Sequence, residues 1–219
     1  MAPCDGSQRD PSPTCVAIVV MGVSGTGKST LGSVIAEALN MPYVEGDELH
    51  PKSNVEKMAA GHPLNDADRE PWLELIRTTA EHMVVEQRVG QNSGLGSGAA
   101  SGVVLSCSAL KKYYRDILRG IKKPASKGQT LPSHLEPANP DVLRTYFVFI
   151  DGSREVLRDR MEKRPGHFMK ASMLDSQLKT LESPVGEEGV VVLSLEDTTE
   201  VQLRMALEGL RELGVAVDR

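Results

Sequence analysis

Cysteine is scarce in this chain, and the little there is forms no pattern. Its three cysteines, Cys4, Cys15 and Cys107, are odd in number and irregular in spacing. That excludes a disulfide framework and gives no zinc-site spacing, so they read as thiols in a reducing compartment. Long apolar runs are missing too: nothing approaches the roughly 18 residues of a membrane span. Positive charge is in deficit, with 25 Lys and Arg against 30 Asp and Glu and a net charge of −5. No overall basic field draws nucleic acid or an anionic membrane, and an anionic ligand would need a local basic pocket. Residues 1–14, "MAPCDGSQRDPSPT", lack the apolar centre of a secretory signal and are expected to form a disordered tail. No carboxy-terminal address signal is visible, and the cytoplasm is the expected location. There is no internal repeat.

What the chain does have is an alternation of strand-like and helix-like segments. "CVAIVVM" (15–21) is a continuous apolar, β-branched run, the pattern of a strand buried on both faces. Behind it Leu31, Val34, Ile35, Ala38 and Leu39 recur at helical spacing. "MPYVEGD" (41–47) reads as a second strand ending in an acidic turn, and Pro51 opens a short helix that closes on Gly61. A longer helix follows through Gln87, with Asn65, Asp66 and Asp68 available to cap it and Pro71 in about its first turn. Its expected inner face is Trp72, Leu75, Ile76, Thr79 and Met83. A third strand running into a turn is read at 103–110, and further strands at 143–150 and 189–195. A final helix turns Leu203, Leu207, Leu210 and Leu213 inward. Five such alternations predict a three-layer α/β/α fold on a five-stranded parallel sheet. One domain is expected over 15–215, with Gly/Ser/Pro-rich insertions near 90–102 and 122–141.

Between the first strand and the first helix lies "GVSGTGKST", with Gly22, Gly27, Lys28 and Ser29 in G-x-x-x-x-G-K-S spacing. Gly22, Gly25 and Gly27 let the backbone turn tightly, so that amides from Val23, Ser24, Thr26 and their neighbours point at phosphate oxygens. The helix amino terminus adds favourable potential. Lys28 would reach the β- and γ-phosphates, Ser29 would ligate Mg²⁺, and Thr30 would contact the α-phosphate. The donor is a magnesium nucleoside triphosphate. A guanine-reading N-K-x-D motif is absent, which favours ATP over GTP and a transferase over a switch. Asp151, at the end of the fourth strand, is either a metal contact or a helix cap, with Ser153 as the rival cap. Between the fourth and fifth strands, Arg160, Lys163, Arg164, His167 and Lys170 concentrate positive charge. Residues 160–184 are therefore read as a mobile lid. Phosphoryl transfer depends on positioned cations and excluded water, which such a lid supplies.

"MGVSGTGKST", "GDELHPKSNVEKMAAGHPLNDADREPWL", "CSALKKYYRDILR" and "GHFMKASMLDSQLKTLESP" together resemble the phosphate-loop gluconokinases, relatives of the shikimate kinases. The resemblance runs from Val16 to Leu210; the tail and the two insertions fall outside it. It implies transfer of the ATP γ-phosphoryl group to the 6-hydroxyl of D-gluconate, with Mg²⁺ as cofactor and, in many relatives, a homodimer. It implies that Asp47 orients or deprotonates the acceptor hydroxyl and that Arg69 clamps the substrate carboxylate. The guanidinium fork suits that task. His50, Lys111 and His167 are further implied contacts to the sugar acid, and Arg160 and Arg164 to the nucleotide. Alternatives stay open residue by residue: a structural His50, an Arg69 ion-paired within its own helix, and Lys111 or Lys112 left to solvent. Glu45 stands where the family pattern has Asp, and would hold a metal-bound water at most. Trp72 and Cys107 read as packing. The rival functions are a kinase of another small hydroxy acid, such as shikimate, and a nucleotide-binding protein without turnover.

Overall fold

The computed structural model describes residues 15–92, 101–123, 143–163 and 171–217. Strand β1 (Cys15–Met21) is buried along its whole length, as its unbroken apolar run requires. It lies at the centre of a sheet of order β2-β3-β1-β4-β5, with β2 at Tyr43–Glu45, β3 at Gly102–Ser106, β4 at Leu143–Asp151 and β5 at Val190–Ser194. Every pairing is parallel.

Successive residues of β1 feed two separate cores. Ala17, Val19 and Met21 face one side, with Leu105, Phe147 and Phe149. There they meet helices α3 (Asp66–Asn92) and α4 (Lys112–Leu118) through Trp72, Leu73, Ile76, Tyr114 and Ile117. Val16, Ile18 and Val20 face the other side with Val104, Val148 and Leu193. That side is covered by α1 (Lys28–Ala38) and α7 (Thr199–Glu212) through Leu31, Ile35, Ala206 and Leu210. The predicted three-layer α/β/α architecture with five parallel strands is what the structure shows. A short α2 (Lys52–Ala59), α5 (Arg154–Lys163) and α6 (Ala171–Thr180) complete the helices. No helix among the described residues is long and apolar enough to cross a membrane.

Several local expectations need correction. Strand β2 is shorter than 41–47, running from Tyr43 to Glu45, and the acidic turn expected at its end is a 3-10 turn at Gly46–Leu49. Pro51 is the residue before α2 rather than its first. Helix α3 runs on to Asn92, so its last residues occupy the start of the expected 90–102 loop. Pro71 sits in its second turn, where the missing N–H would have met Ala67. The inner face of α3 is rotated from the predicted one: Leu73, Ala80 and Val84 are buried, as is Arg77, while Leu75, Thr79 and Met83 are half-exposed. Arg77 explains the rotation. Its guanidinium donates to the Leu118 carbonyl at 3.0 Å, Thr145 Oγ1 at 2.8 Å and the Leu143 carbonyl at 3.1 Å, and pairs with Glu81 at 2.5 Å. A charge so completely partnered takes a core position that hydrophobic periodicity cannot assign to it. In α7 the buried line is Gln202, Ala206 and Leu210, with Leu203, Leu207 and Leu213 at its margins.

Candidate active site

The loop from Gly22 to Gly27 bends through positive φ at Gly22 (149°), Gly25 (86°) and Gly27 (89°). Only glycine reaches such angles without strain. Gly27 is the residue before α1 and offers no side-chain cap, so the first amides of the helix remain available to an anion. Thr26 Oγ1 donates to the Val23 carbonyl at 2.9 Å and braces the turn from within. Lys28 Nζ donates to the same carbonyl at 3.1 Å. Burial holds the Lys28 ammonium below its ordinary pKa, opposed chiefly by the Asp47 carboxylate and also by Glu45. Ser29 and Thr30 stand exposed beside it.

The 3-10 turn after β2 brings the second set of residues to the same end of the sheet. Gly46 is required by crowding: a Cβ there would lie 2.2 Å from the Ser106 carbonyl oxygen and 3.2 Å from Ile76 Cδ1. Its own carbonyl accepts from Trp72 Nε1 at 2.7 Å. Asp47 follows with its carboxylate open to the cavity, and among the described residues no group donates a hydrogen bond to that carboxylate. Desolvation in the cleft pushes its pKa up, against the pull of Lys28 and with the push of Glu45. Three residues on, His50 stacks on Trp72 with ring centres 3.9 Å apart. Asn54 Nδ2 donates to His50 Nδ1 at 3.3 Å and to the Asp68 carbonyl at 2.8 Å. Burial and then the Arg69 charge press the imidazole pKa down to about 4. The ring is neutral at physiological pH, with its proton on Nε2.

Arg69 arrives from the first turns of α3. Asn65 and Asp68 cap that end reciprocally, Asp68 N to Asn65 Oδ1 at 3.0 Å and Asn65 N to Asp68 Oδ2 at 2.7 Å. The Arg69 guanidinium donates to the Leu64 carbonyl and lies 5.8 Å from the centre of the Tyr114 ring. Lys111 is already engaged: Nζ holds both oxygens of Asp66, at 2.7 and 2.8 Å. Lys112 pairs with Asp116. Arg160 donates to the Leu195 carbonyl at 2.7 Å, beyond the end of β5. Arg164 and His167 lie outside the described residues. Asp151 is exposed at its strand end, and Ser153 supplies the helix-start bond, accepting from Val156 N at 3.3 Å. Burial drives the Cys107 thiol up to about 12, which leaves it inert packing.

These elements enclose one cavity of about 500 Å³. Of the predicted residues, Ser24, Lys28, Asp47, His50 and Arg69 all line it. Lys111 does not; it flanks a separate shallow hollow with Asp66. Gln177 of α6 also lines the cavity, and its Oε1 accepts from Ser24 N at 2.6 Å. The sequence reading passed over Gln177, although it lies within the quoted "MLDSQLKTLESP" block. Trp72 proves to be both core and cavity wall, being 2 % exposed yet stacked under His50.

The metal question turns on Ser29 and Glu45. Burial works to raise the Glu45 pKa, but hydroxyl donation from Ser106, Ser29 and Tyr43 holds it below the ordinary carboxylate value. Tyr43 Oη lies 2.8 Å from Glu45 Oε2. An ionised carboxylate bonded to the phosphate-loop serine is a hard oxygen environment, and it fits a magnesium ion.

A phosphate loop and a cluster of acceptor groups opening onto one cavity, at the carboxyl ends of parallel strands, make this chain a phosphate-loop kinase of small molecules. Comparison with known proteins narrows the class. A family model described as an AAA domain matches residues 18–180. The gluconokinase of Gluconobacter oxydans is 44% identical over 186 residues, 85% of this chain and 86% of that protein. The thermoresistant gluconokinase of Escherichia coli is 36% identical over 195 residues, covering 89% and 93%. A crystal structure of a gluconokinase from Sinorhizobium meliloti superposes with a TM-score of 0.64 at 42% identity, over 92% of this chain and 93% of that one. The chain belongs to the gluconokinase family.

Proposed function

We propose that the protein transfers the γ-phosphoryl group of ATP to the 6-hydroxyl of D-gluconate, giving 6-phospho-D-gluconate and ADP. The observation that carries this reading is the single cavity shared by Ser24 and Lys28 on one side and Asp47, His50 and Arg69 on the other. The loop amides and Lys28 bind the phosphates and meet the charge that develops in transfer. Asp47, whose carboxylate takes no hydrogen bond among the described residues, accepts from the acceptor hydroxyl and aligns it for in-line attack. Arg69 receives the sugar-acid carboxylate, and neutral His50 donates a hydrogen bond from Nε2 to a substrate oxygen. Ser29 and Glu45 would hold Mg²⁺, the serine directly and the glutamate through water. When bound, that ion neutralises the phosphates and orients them. Arg160, Arg164 and His167 are assigned to closing the site over the nucleotide and the acceptor. The reading places the enzyme in the cytoplasm, acting on a small molecule as a homodimer.

The test is ADP release across gluconate, shikimate, glucose and nucleoside monophosphates, with Arg69→Ala beside the parent. Gluconate should be preferred, and Arg69→Ala should raise its KM about 100-fold with the ATP KM little changed. Turnover of another acceptor with none on gluconate would overturn the assignment. Collapse of ATP binding in Arg69→Ala would remove the carboxylate role.

A further inference from the structure

Gln177 joins two parts of the site that are distant in sequence, and its helix packs on the body of the domain. Leu174 of α6 is buried in the second core, and Leu178 and Leu181 pack against it. Beyond the helix, Glu182 N donates to the Leu110 carbonyl at 2.8 Å, and the Glu182 carboxylate accepts from Lys112 N at 2.7 Å. Asp175 pairs with Arg154 of α5 at 2.8 Å. These ties dock α6 against the β3–α4 turn on one side and α5 on the other.

The amide it occupies is part of the phosphate loop. Ser24 and Gln177 both line the cavity together with Lys28, Asp47 and Arg69, so the bond between them, donated by the Ser24 N–H, borders the space where donor and acceptor meet. The phosphoryl group nearest the acceptor is the terminal one. A phosphoryl oxygen and the Gln177 carbonyl oxygen are both acceptors, and they compete for that N–H. A carboxamide resolves the competition without leaving: rotated about its last bond, it presents Nε2–H in place of Oε1.

We propose that Gln177 senses the terminal phosphoryl group of the nucleotide, accepting from Ser24 N in the free enzyme and donating to a phosphoryl oxygen in the triphosphate complex. Among uncharged side chains of this length, only the carboxamide serves both states. Glutamate, of the same shape, serves the first and opposes the second. Methionine, of similar volume, serves neither. The inference deepens the ATP-dependent reading of this cavity and rests on it.

The experiment measures binding of magnesium AMP-PNP and of magnesium ADP to the full chain and to its Gln177→Glu and Gln177→Met variants. Gluconate turnover is measured in parallel. Gln177→Glu keeps the bond to Ser24 and should fold as the parent does. It should weaken AMP-PNP binding at least about tenfold while ADP binding stays within about twofold. Gln177→Met should lower kcat more than it raises the gluconate KM. Equal weakening of both nucleotides, or of neither, would overturn the sensor role. Failure of the gluconate assignment would leave the nucleotide comparison intact. Gluconate turnover with undiminished AMP-PNP binding in Gln177→Glu would reject the sensor and spare the kinase.

Discussion

Asp47 carries its charge at a disadvantage, and that is informative about its role. Desolvation is the largest influence on it and raises its pKa above the ordinary 3.8, with Lys28 offsetting part of the effect. The folded protein therefore holds a proton on Asp47 more readily than the unfolded chain does. Ionised Asp47 subtracts from stability at neutral pH, and the deficit fades as pH falls through its raised pKa. A helix cap or structural ion pair would show the opposite sign. Asp47→Asn should thus lower kcat roughly 10³-fold without lowering Tm. In the parent, kcat/KM should fall on acidification through a pKa above 3.8. Melting curves and a pH–rate profile check both, and a loss of Tm in the variant would return Asp47 to a structural role. Gln177 shows the limit of reading single residues. A glutamine on a polar helix has the sequence signature of a solvated surface residue, and only the spatial approach of α6 to the phosphate loop reveals it.

At the scale of elements, the turn after β2 is the tightest piece of construction. The Ser106 carbonyl and Ile76 leave Gly46 no room for a methyl group, because backbone cannot retreat as a flexible side chain does. Gly46→Ala should cost roughly 3 kcal/mol and lower Tm by about 6–12 °C. It should also displace Asp47 and raise the gluconate KM, which calorimetry and steady-state kinetics on one preparation would measure. The strands were readable because each buried strand is a run of apolar residues, and β1 has the limits its sequence suggests. The phosphate loop was readable because its glycines and lysine have one physical use in that setting. The inner face of α3 was not. Arg77 is buried by partners on other elements, the Leu118 and Leu143 carbonyls and Thr145 Oγ1, and no periodicity within α3 encodes those partners. The acidic turn that ends β2 was legible at Gly46 and Asp47, but the crowding by the Ser106 carbonyl that reserves Gly46 for glycine was not.

Across the whole molecule, one ion cluster ties the acceptor side to the far strand. Arg115 is fully buried and donates to the Ala109 and Leu110 carbonyls at 3.0 and 3.2 Å. It pairs with Glu187 at 2.5 Å, and Glu187 also takes Arg119 at 3.2 Å. Hydrogen bonding from Arg115 holds the Glu187 carboxyl below its ordinary 4.5. This depressed carboxylate contributes stability that is fully present above pH 4.5 and is lost as pH falls through the lower folded value. Glu187→Gln should cost about 3 kcal/mol at neutral pH, because it leaves a buried guanidinium short of a counter-charge. The denaturant midpoint should fall with the slope unchanged, and the difference from the parent should shrink in acid. A variant as stable as the parent at pH 7 would remove the cluster from the list of structural ties.

The sheet order has one more consequence. Strands β3, β1 and β4 are neighbours, and their amino ends, at Gly102, Cys15 and Leu143, lie side by side on the edge away from the cavity. Added length before any of these three strands therefore enters the molecule far from the chemistry. Before β3 and β4 its thermodynamic burden is that of closing a longer loop, which grows only logarithmically: doubling a loop adds about 0.6 kcal/mol. This kinase can thus drift in size at one pole while the other stays fixed, and that same pole is where an affinity handle or a fused domain can be attached with catalysis left alone.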